Sequence, residues 1–217
     1  MSTEESDNPF EIVIAYYNSL AFLEILPHVS SKIKLYDKST SVENSLEILD
    51  MQLKYPNIER ITRENIGREG ETYLSHIIDN YDSLAEYTIF IQDDTDNHIT
   101  NLSFFLYSTQ ICTQEKYSFM SYPCSWKKGG NPYRRTIVNG ITDLHTFPSP
   151  YAIHDTTRRF QLHLPQVYQT DICAFFIVKK DKIRERPVTF YQELREWLLS
   201  DDANGFVLEH IWILIFS

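Results

Sequence analysis

The chain has 217 residues, of which 42% are hydrophobic and 14% aromatic, enough to close one substantial core. Its net charge of −10 argues against nucleic acid or an anionic membrane as the main partner, because phosphate binding needs clustered Lys and Arg. Cys112, Cys124 and Cys173 are odd in number, widely spaced and without C-x-x-C, so neither a disulfide framework nor a zinc knuckle is indicated.

Residues 1–10, MSTEESDNPF, are polar and acidic with no apolar core, and are expected to be a disordered lead-in rather than a signal peptide. EIVIAYY (11–17) is a continuous β-branched and aromatic run, and KIKLY (32–36) reads as a second strand. Leu46, Leu49 and Leu53 stand at helical spacing, and a short strand near Ile58 to Thr62 follows the Pro56-Asn57 turn signal. The clearest helix runs from Glu69 to Ala85, with Leu74, Ile77, Ile78, Tyr81 and Leu84 on one face. YTIFI (87–91) is apolar without alternation, as expected of a strand covered on both faces.

Beyond residue 100 the pattern loosens. Leu102, Phe105 and Leu106 suggest a helix, 117–122 a strand, and 126–135 an irregular connection extending past Gly140 to the Pro148/Pro150 pair. ICAFFIV (172–178) reads as a buried strand, 188–199 as a helix, and 206–216 as a last, mostly apolar helix, too short to span a bilayer. The expected fold is α/β, one domain with a mostly parallel central sheet flanked by helices, in a soluble, intracellular, cytoplasmic protein. In such sheets ligands bind at the carboxyl ends of the strands, which places Gln92 to Asp96 in the expected cleft.

That loop carries Asp93, Asp94 and Asp96, three carboxylates that cannot crowd together ionised without a cation or donors between them. A solvated turn accounts for them as well as a Mg²⁺ or Mn²⁺ site does. Asn65 and Gly67 form a turn into the long helix, setting Arg68 and Glu69 at its amino terminus, where a guanidinium can grip a diphosphate. His76 reads as a packing residue. Glu209 and His210 interrupt the apolar last helix, so they either face solvent or reach into the site. No G-x-S-x-G, H-E-x-x-H, Walker loop or dinucleotide fingerprint is present, which weakens hydrolase, zinc-protease and nucleotide-hydrolysing readings.

AYYN (15–18), LYDKS (35–39), the Asn65-x-Gly67 helix entry and the acidic loop after YTIFI follow the order of the amino-terminal half of GT-A glycosyltransferases, which this chain resembles. With the NIGREGETYLSHIIDNYDSLAEYTIFIQ, CAFFIVKKDKIRERPVTFYQELREWL and LEHIWILIF segments, it more specifically resembles an uncharacterised glycosyltransferase-like family catalogued as a domain of unknown function. The resemblance implies a nucleotide-sugar half over 11–100 and an acceptor-side half of the same domain over 101–217. It implies a UDP- or GDP-sugar donor held by Tyr16, Tyr17, Asn18, Asp37, Lys38, Asn65, Arg68, Gln92 and Asp93. Mn²⁺ or Mg²⁺ would sit on Asp94 and Asp96 with His210, the acceptor being a glycan or glycoconjugate. Inversion would need a base, Glu209 or Asp171; the sequence leaves a retaining outcome open.

The sequence departs from the GT-A pattern where Gln92 takes the place of the first aspartate, with Asp94-Thr95-Asp96 beginning two residues later. That substitution favours a second reading, a GT-A-like carbohydrate-binding or scaffolding module without catalysis. A third, a metal-dependent phosphoesterase built from Asp94, Asp96, His98 and His154, lacks a compact ligand motif.

Overall fold

The computed structural model describes residues 9–39, 42–95, 107, 109, 111–112, 114–122, 134–142, 147–172 and 174–217. The first apolar run forms β1 (Phe10–Tyr16), flanked on one side by β2 (Lys32–Asp37) and β3 (Ile58–Thr62), and on the other by β4 (Tyr87–Gln92). These four strands are parallel. Further along the chain, β5 (Phe119–Ser121), β6 (Arg134–Val138), β7 (Val167–Asp171) and β8 (Phe176–Lys179) follow. The main sheet has the order β3-β2-β1-β4-β8-β5, in which only β8 runs against its neighbours. The result is a mixed α/β domain with a mostly parallel central sheet flanked by helices.

Alternate residues of the central strands feed two separate cores, one on each face. Val13, Phe90 and Phe176 point to one side, where they meet Tyr73 of α2 (Arg68–Asp79) and Trp212 of the last helix. Ile12, Ile14, Leu35 and Ile89 point to the other, under Ile48 and Met51 of α1 (Val42–Lys54) and a pair of short 3-10 turns after β1. The first face is closed by α3 (Ala152–Arg159), α4 (Lys180–Arg184), α5 (Val188–Leu199) and α6 (Asn204–Ile215). Tyr73, Phe90, Phe176, Trp212 and Phe216 form a continuous aromatic cluster there, each ring within 6.3 Å of another. No helix among the described residues is long and apolar enough to cross a membrane.

Several elements differ from the sequence expectation. The long helix stops at Asp79 rather than Ala85, where the Asn80 side chain donates to the His76 carbonyl and closes the helix end. Helix α1 forms as its spacing predicts but turns the other way: Ile48 and Met51 are buried, while Leu46, Leu49 and Leu53 are 65%, 52% and 80% exposed. The expected irregular connection contains β6, which pairs antiparallel with β7 in a separate two-stranded sheet. The expected strand at 172–178 is shorter, beginning at Phe176. The helix expected around 102–106 and residues Cys124 and Cys173 lie outside the described residues.

His76 does pack inside, against Tyr36 and Phe90, with its Nδ1 3.1 Å from the Tyr36 hydroxyl. Its Nε2 lies 3.5 Å from Glu11 of β1, whose carboxylate also faces Lys34 of β2 at 3.6 Å. Burial and the nearby Lys34 and Lys32 lower the His76 pKa to about 3, so the ring is neutral in the fold, while an unfolded chain protonates it below about 6.5. His210 is likewise lowered by burial, to about 4. Both therefore favour the fold fully above pH 6.5, and that advantage is lost as acid protonates the unfolded chain. The loss for each approaches ~1.4 kcal/mol per pH unit between its two values. Urea unfolding at pH 7 and pH 5 is expected to show a steep drop in stability, and a shallower one in His76→Gln, whose side chain does not titrate.

Candidate functional site

Strand order fixes where a ligand can enter. The chain leaves β1 toward β2 and β3, then returns across β1 to β4, so the connections diverge at the carboxyl ends of β1 and β4. A crevice opens at such a switch point in parallel sheets. A cavity of about 390 Å³ lies there, walled by Tyr16, Tyr17 and Asn18 after β1 and by Gln92, Asp93 and Asp94 after β4. Lys38 after β2 and Asn65, Arg68 and Glu69 at the start of α2 close it.

Asp93 shapes this cavity rather than standing open in it. Its Oδ2 accepts three consecutive backbone N–H groups, from Tyr17 at 2.9 Å and from Asn18 and Ser19 at 2.8 Å each. Successive N–H groups converging on one oxygen form a concave anion seat, and the chain's own carboxylate fills it. The first loop is thereby tied to the end of β4, and the Phe22 amide adds a bond to the Asp93 carbonyl.

Lys38 is likewise spent inside the wall. Its Nζ donates to the carbonyls of Ile66 and Arg68, both at 2.7 Å, and to Glu71 at 3.0 Å. Three donors with three acceptors leave that ammonium with nothing to offer a ligand. Burial lowers its pKa, against the opposing pull of Glu71. The other oxygen of Glu71, Oε1, accepts from Ser75 at 2.6 Å and from both Nε and an Nη of Arg195 on α5, at 3.0 Å and 2.7 Å. Burial alone would raise the Glu71 carboxyl, but Ser75, Lys38 and Arg195 together bring it below the usual range.

This network holds an unusual turn. Gly67 has φ +60 and Arg68 φ +55, two successive left-handed residues at the mouth of α2. A Cβ at Gly67 would come within 2.7 Å of the Glu71 Cβ and 2.8 Å of Leu199, so a glycine is required by both conformation and space. Left-handed geometry at Arg68 is costly for a side-chain residue and persists because its carbonyl is held by Lys38. The turn lays the Arg68 guanidinium over the Phe206 ring, 4.5 Å from its centre, and 43% of its side chain stays exposed. It faces Glu69 at 3.6 Å and the buried Glu209 of α6 at 3.7 Å. Tyr73 lies beneath: its phenol is fully buried, has no hydrogen-bond partner among the described residues, and stays protonated, raised first by burial and then by Glu69, Asp93, Glu209 and Asp94.

The structure gathers most of the residues singled out from sequence and sets others apart. Tyr16, Tyr17, Asn18, Lys38, Asn65, Arg68, Gln92, Asp93 and Asp94 all line the one cavity. Asp37 does not: it is buried in a pair with Arg60 and accepts the Ser39 amide at 2.8 Å. Asp171 ends β7, held by Arg134 at 2.9 Å and 3.1 Å and by the Ser121 hydroxyl at 2.9 Å. His210 turns to the other side of α6, its Nδ1 2.7 Å from the Phe206 carbonyl and its ring against Phe147. His154 is exposed on α3 beside Asp155, while Asp96 and His98 lie outside the described residues. Among the described residues no three His, Cys, Asp or Glu side chains stand ready to hold a metal ion. Sequence reasoning did not single out Glu71, Tyr73 or Arg195; Arg195 is 124 positions from Glu71, and no local pattern links them.

A family model described as "Protein of unknown function (DUF3431)" matches residues 37–217. The chain belongs to that family. The matched span takes in Lys38, the Gly67–Arg68 turn, the acidic loop and α6, and so nearly all of the cavity except the loop after β1. No curated protein matches the sequence. Among solved structures the chain is similar to "S. aureus TarS 1-349", with TM-score 0.45 and 13% identity, over 93% of this chain and 54% of that one. It is also similar to "S. aureus TarS", with TM-score 0.44 and 13% identity, over 92% of this chain and 33% of that one. The chain thus spans about half or a third of those proteins' length.

Replacing Asp93 by Ala is expected to orphan three backbone donors and destabilise the fold by about 3 kcal/mol. Hydrogen exchange should show protection lost at 17–19 while the β4 amides keep theirs. Gly67→Ala is expected to lower stability by about 2 kcal/mol or more, through left-handed strain and the clash with Glu71, measured by urea unfolding.

Proposed function

We propose that this protein is a glycosyltransferase that moves a sugar from a nucleotide-diphosphate donor to a glycan or glycoconjugate acceptor. The observation that carries this reading is the cavity at the β1/β4 switch point, where an exposed guanidinium, a helix start and an acidic loop converge. Arg68 is the group for the diphosphate, since a planar cation with several donors matches phosphate oxygens. Tyr17 and Asn18, exposed on the loop seated over Asp93, are the contacts for the nucleoside.

The cavity wall carries the carboxylates Glu69, Asp93 and Asp94 against Lys38 and Arg68, and Lys38 already answers Glu71. A dianionic donor therefore fits best when a cation enters with it. Mg²⁺ and Mn²⁺ bind through one or two carboxylates plus substrate phosphates and waters, which a site resting on Asp94 satisfies. When bound, the ion neutralises charge on the departing diphosphate. In an inverting transfer the acceptor hydroxyl oxygen attacks the anomeric carbon, the bond from that carbon to the diphosphate oxygen breaks with its electron pair, and the hydroxyl proton passes to a carboxylate. Glu209, buried behind Arg68, is our choice for that carboxylate. Asp171 is held in its pair with Arg134.

A carbohydrate-binding or scaffolding module without catalysis is the second reading. Three residues that the resemblance gives to the donor favour it: Asp93 seats a backbone loop, Lys38 holds a turn, and Asp37 pairs with Arg60. Thermal unfolding with UDP and GDP separates the two. The transferase reading expects a nucleotide-dependent rise in melting temperature that Mn²⁺ enlarges and Asp94→Asn abolishes. If neither nucleotide moves the transition with or without metal, donor binding is refuted.

A further inference from the structure

We propose that a second cavity, on the far side of Arg68, is the subsite for the acceptor and takes a neutral saccharide. This rests on the transferase reading above. The cavity holds about 570 Å³, large enough for more than one sugar ring, and it shares Asn65 and Arg68 with the cavity at the switch point. Two ligands seated in the two cavities would therefore meet across the same pair of side chains.

The chemistry of the second wall differs from that of the first. Ile66, Leu199 and Phe206 line it with apolar surface, and Ile66 and Leu199 remain exposed there despite their size. Asp202, on the turn between α5 and α6, is the carboxylate of this wall, with Asn65 and Arg68 at the border with the first cavity. An ionised carboxylate only accepts hydrogen bonds and a guanidinium only donates them. A hydroxyl serves both, so a polyol can bind Asp202 and Arg68 with one kind of group. A sugar ring adds an apolar C–H face for Ile66 and Leu199. An anionic ligand is disfavoured, because Asp202 adds negative charge and Arg68, the cation among the lining residues, is the group assigned to the donor diphosphate in the first cavity.

Glycine makes the room. At Gly205, in the wall, an added Cβ would stand 3.2 Å from the Arg68 Cδ, so the guanidinium stem crosses the bare backbone of α6 there. Gly67 lets the turn approach Leu199. Arg68 is thus a partition between two cavities, supported from below by Phe206.

The test uses two probes on the whole chain. UDP reports on the first cavity through thermal unfolding, and a panel of methyl glycosides at millimolar concentration reports on the second through saturation-transfer NMR. The variants are Leu199→Lys and Asp202→Asn, both at exposed positions that the first cavity does not use. We expect at least one methyl glycoside to bind, each variant to weaken it about tenfold, and the UDP response to stay unchanged. UDP binding without any glycoside binding, or glycoside binding indifferent to both variants, overturns the subsite and leaves the transferase reading standing. Glycoside binding that the variants weaken, without any UDP response, keeps the subsite as a saccharide site and removes the transferase.

Discussion

The Lys38 ammonium, buried between the carbonyls of Ile66 and Arg68 and the Glu71 carboxylate, is the contact on which the site depends. It joins the end of β2 to the start of α2, and Glu71 passes the connection to Arg195 of α5. A charge can be buried here because every donor has an acceptor, two of them in the first turns of α2 and one in the turn that leads into it. Breaking one member of such a set costs several kcal/mol, since the remaining charges stay buried without compensation. That stabilisation offsets the strain of the left-handed Arg68, and the turn aims its side chain.

The acidic loop is organised by the same logic of satisfied polar groups. A cluster of aspartates would repel itself, yet Asp93 is turned back into the protein, where three amide groups answer its charge. The loop after β1 and the loop after β4 thereby become one rigid lip. Asp94 is left to line the cavity beside Gln92, which sits in register with Ala15 of β1. With Gln92 at the end of the strand, the carboxylates of this lip begin one residue later, in the loop.

Legibility varied with how local each signal was. Continuous apolar runs gave the central strands because both faces of this sheet are covered. Helix α1 shows the limit: the spacing of Leu46, Leu49 and Leu53 marks a helix truly, but it is Ile48 and Met51 that are buried, in one core cluster with Leu35 and Ile58 of the sheet. Strands β6 and β7 escaped notice because Arg134–Val138 is mostly polar and begins beside a Gly-rich turn signal, and its partner VYQTD is half-buried. In the site, the Asn65-x-Gly67-Arg68 entry was legible since a glycine turn before an amphipathic helix is a local pattern. The fates of Lys38 and Asp37 were not, because a charged side chain's partner depends on what the fold brings near it.

The sequence by itself determined the alternation of strands and helices, the position of the acidic loop after a buried strand, and the glycine turn ahead of Arg68. Periodicity and backbone permissiveness are properties of neighbouring residues, and neighbours are what a sequence records. Tertiary structure alone decided that Asp93 and Lys38 serve the scaffold, that Glu209 comes behind Arg68 while His210 turns away, and that two cavities meet at one guanidinium. Those outcomes rest on contacts between residues as much as 124 positions apart, and on a buried charge taking whichever partner the fold supplies to avoid desolvation without compensation.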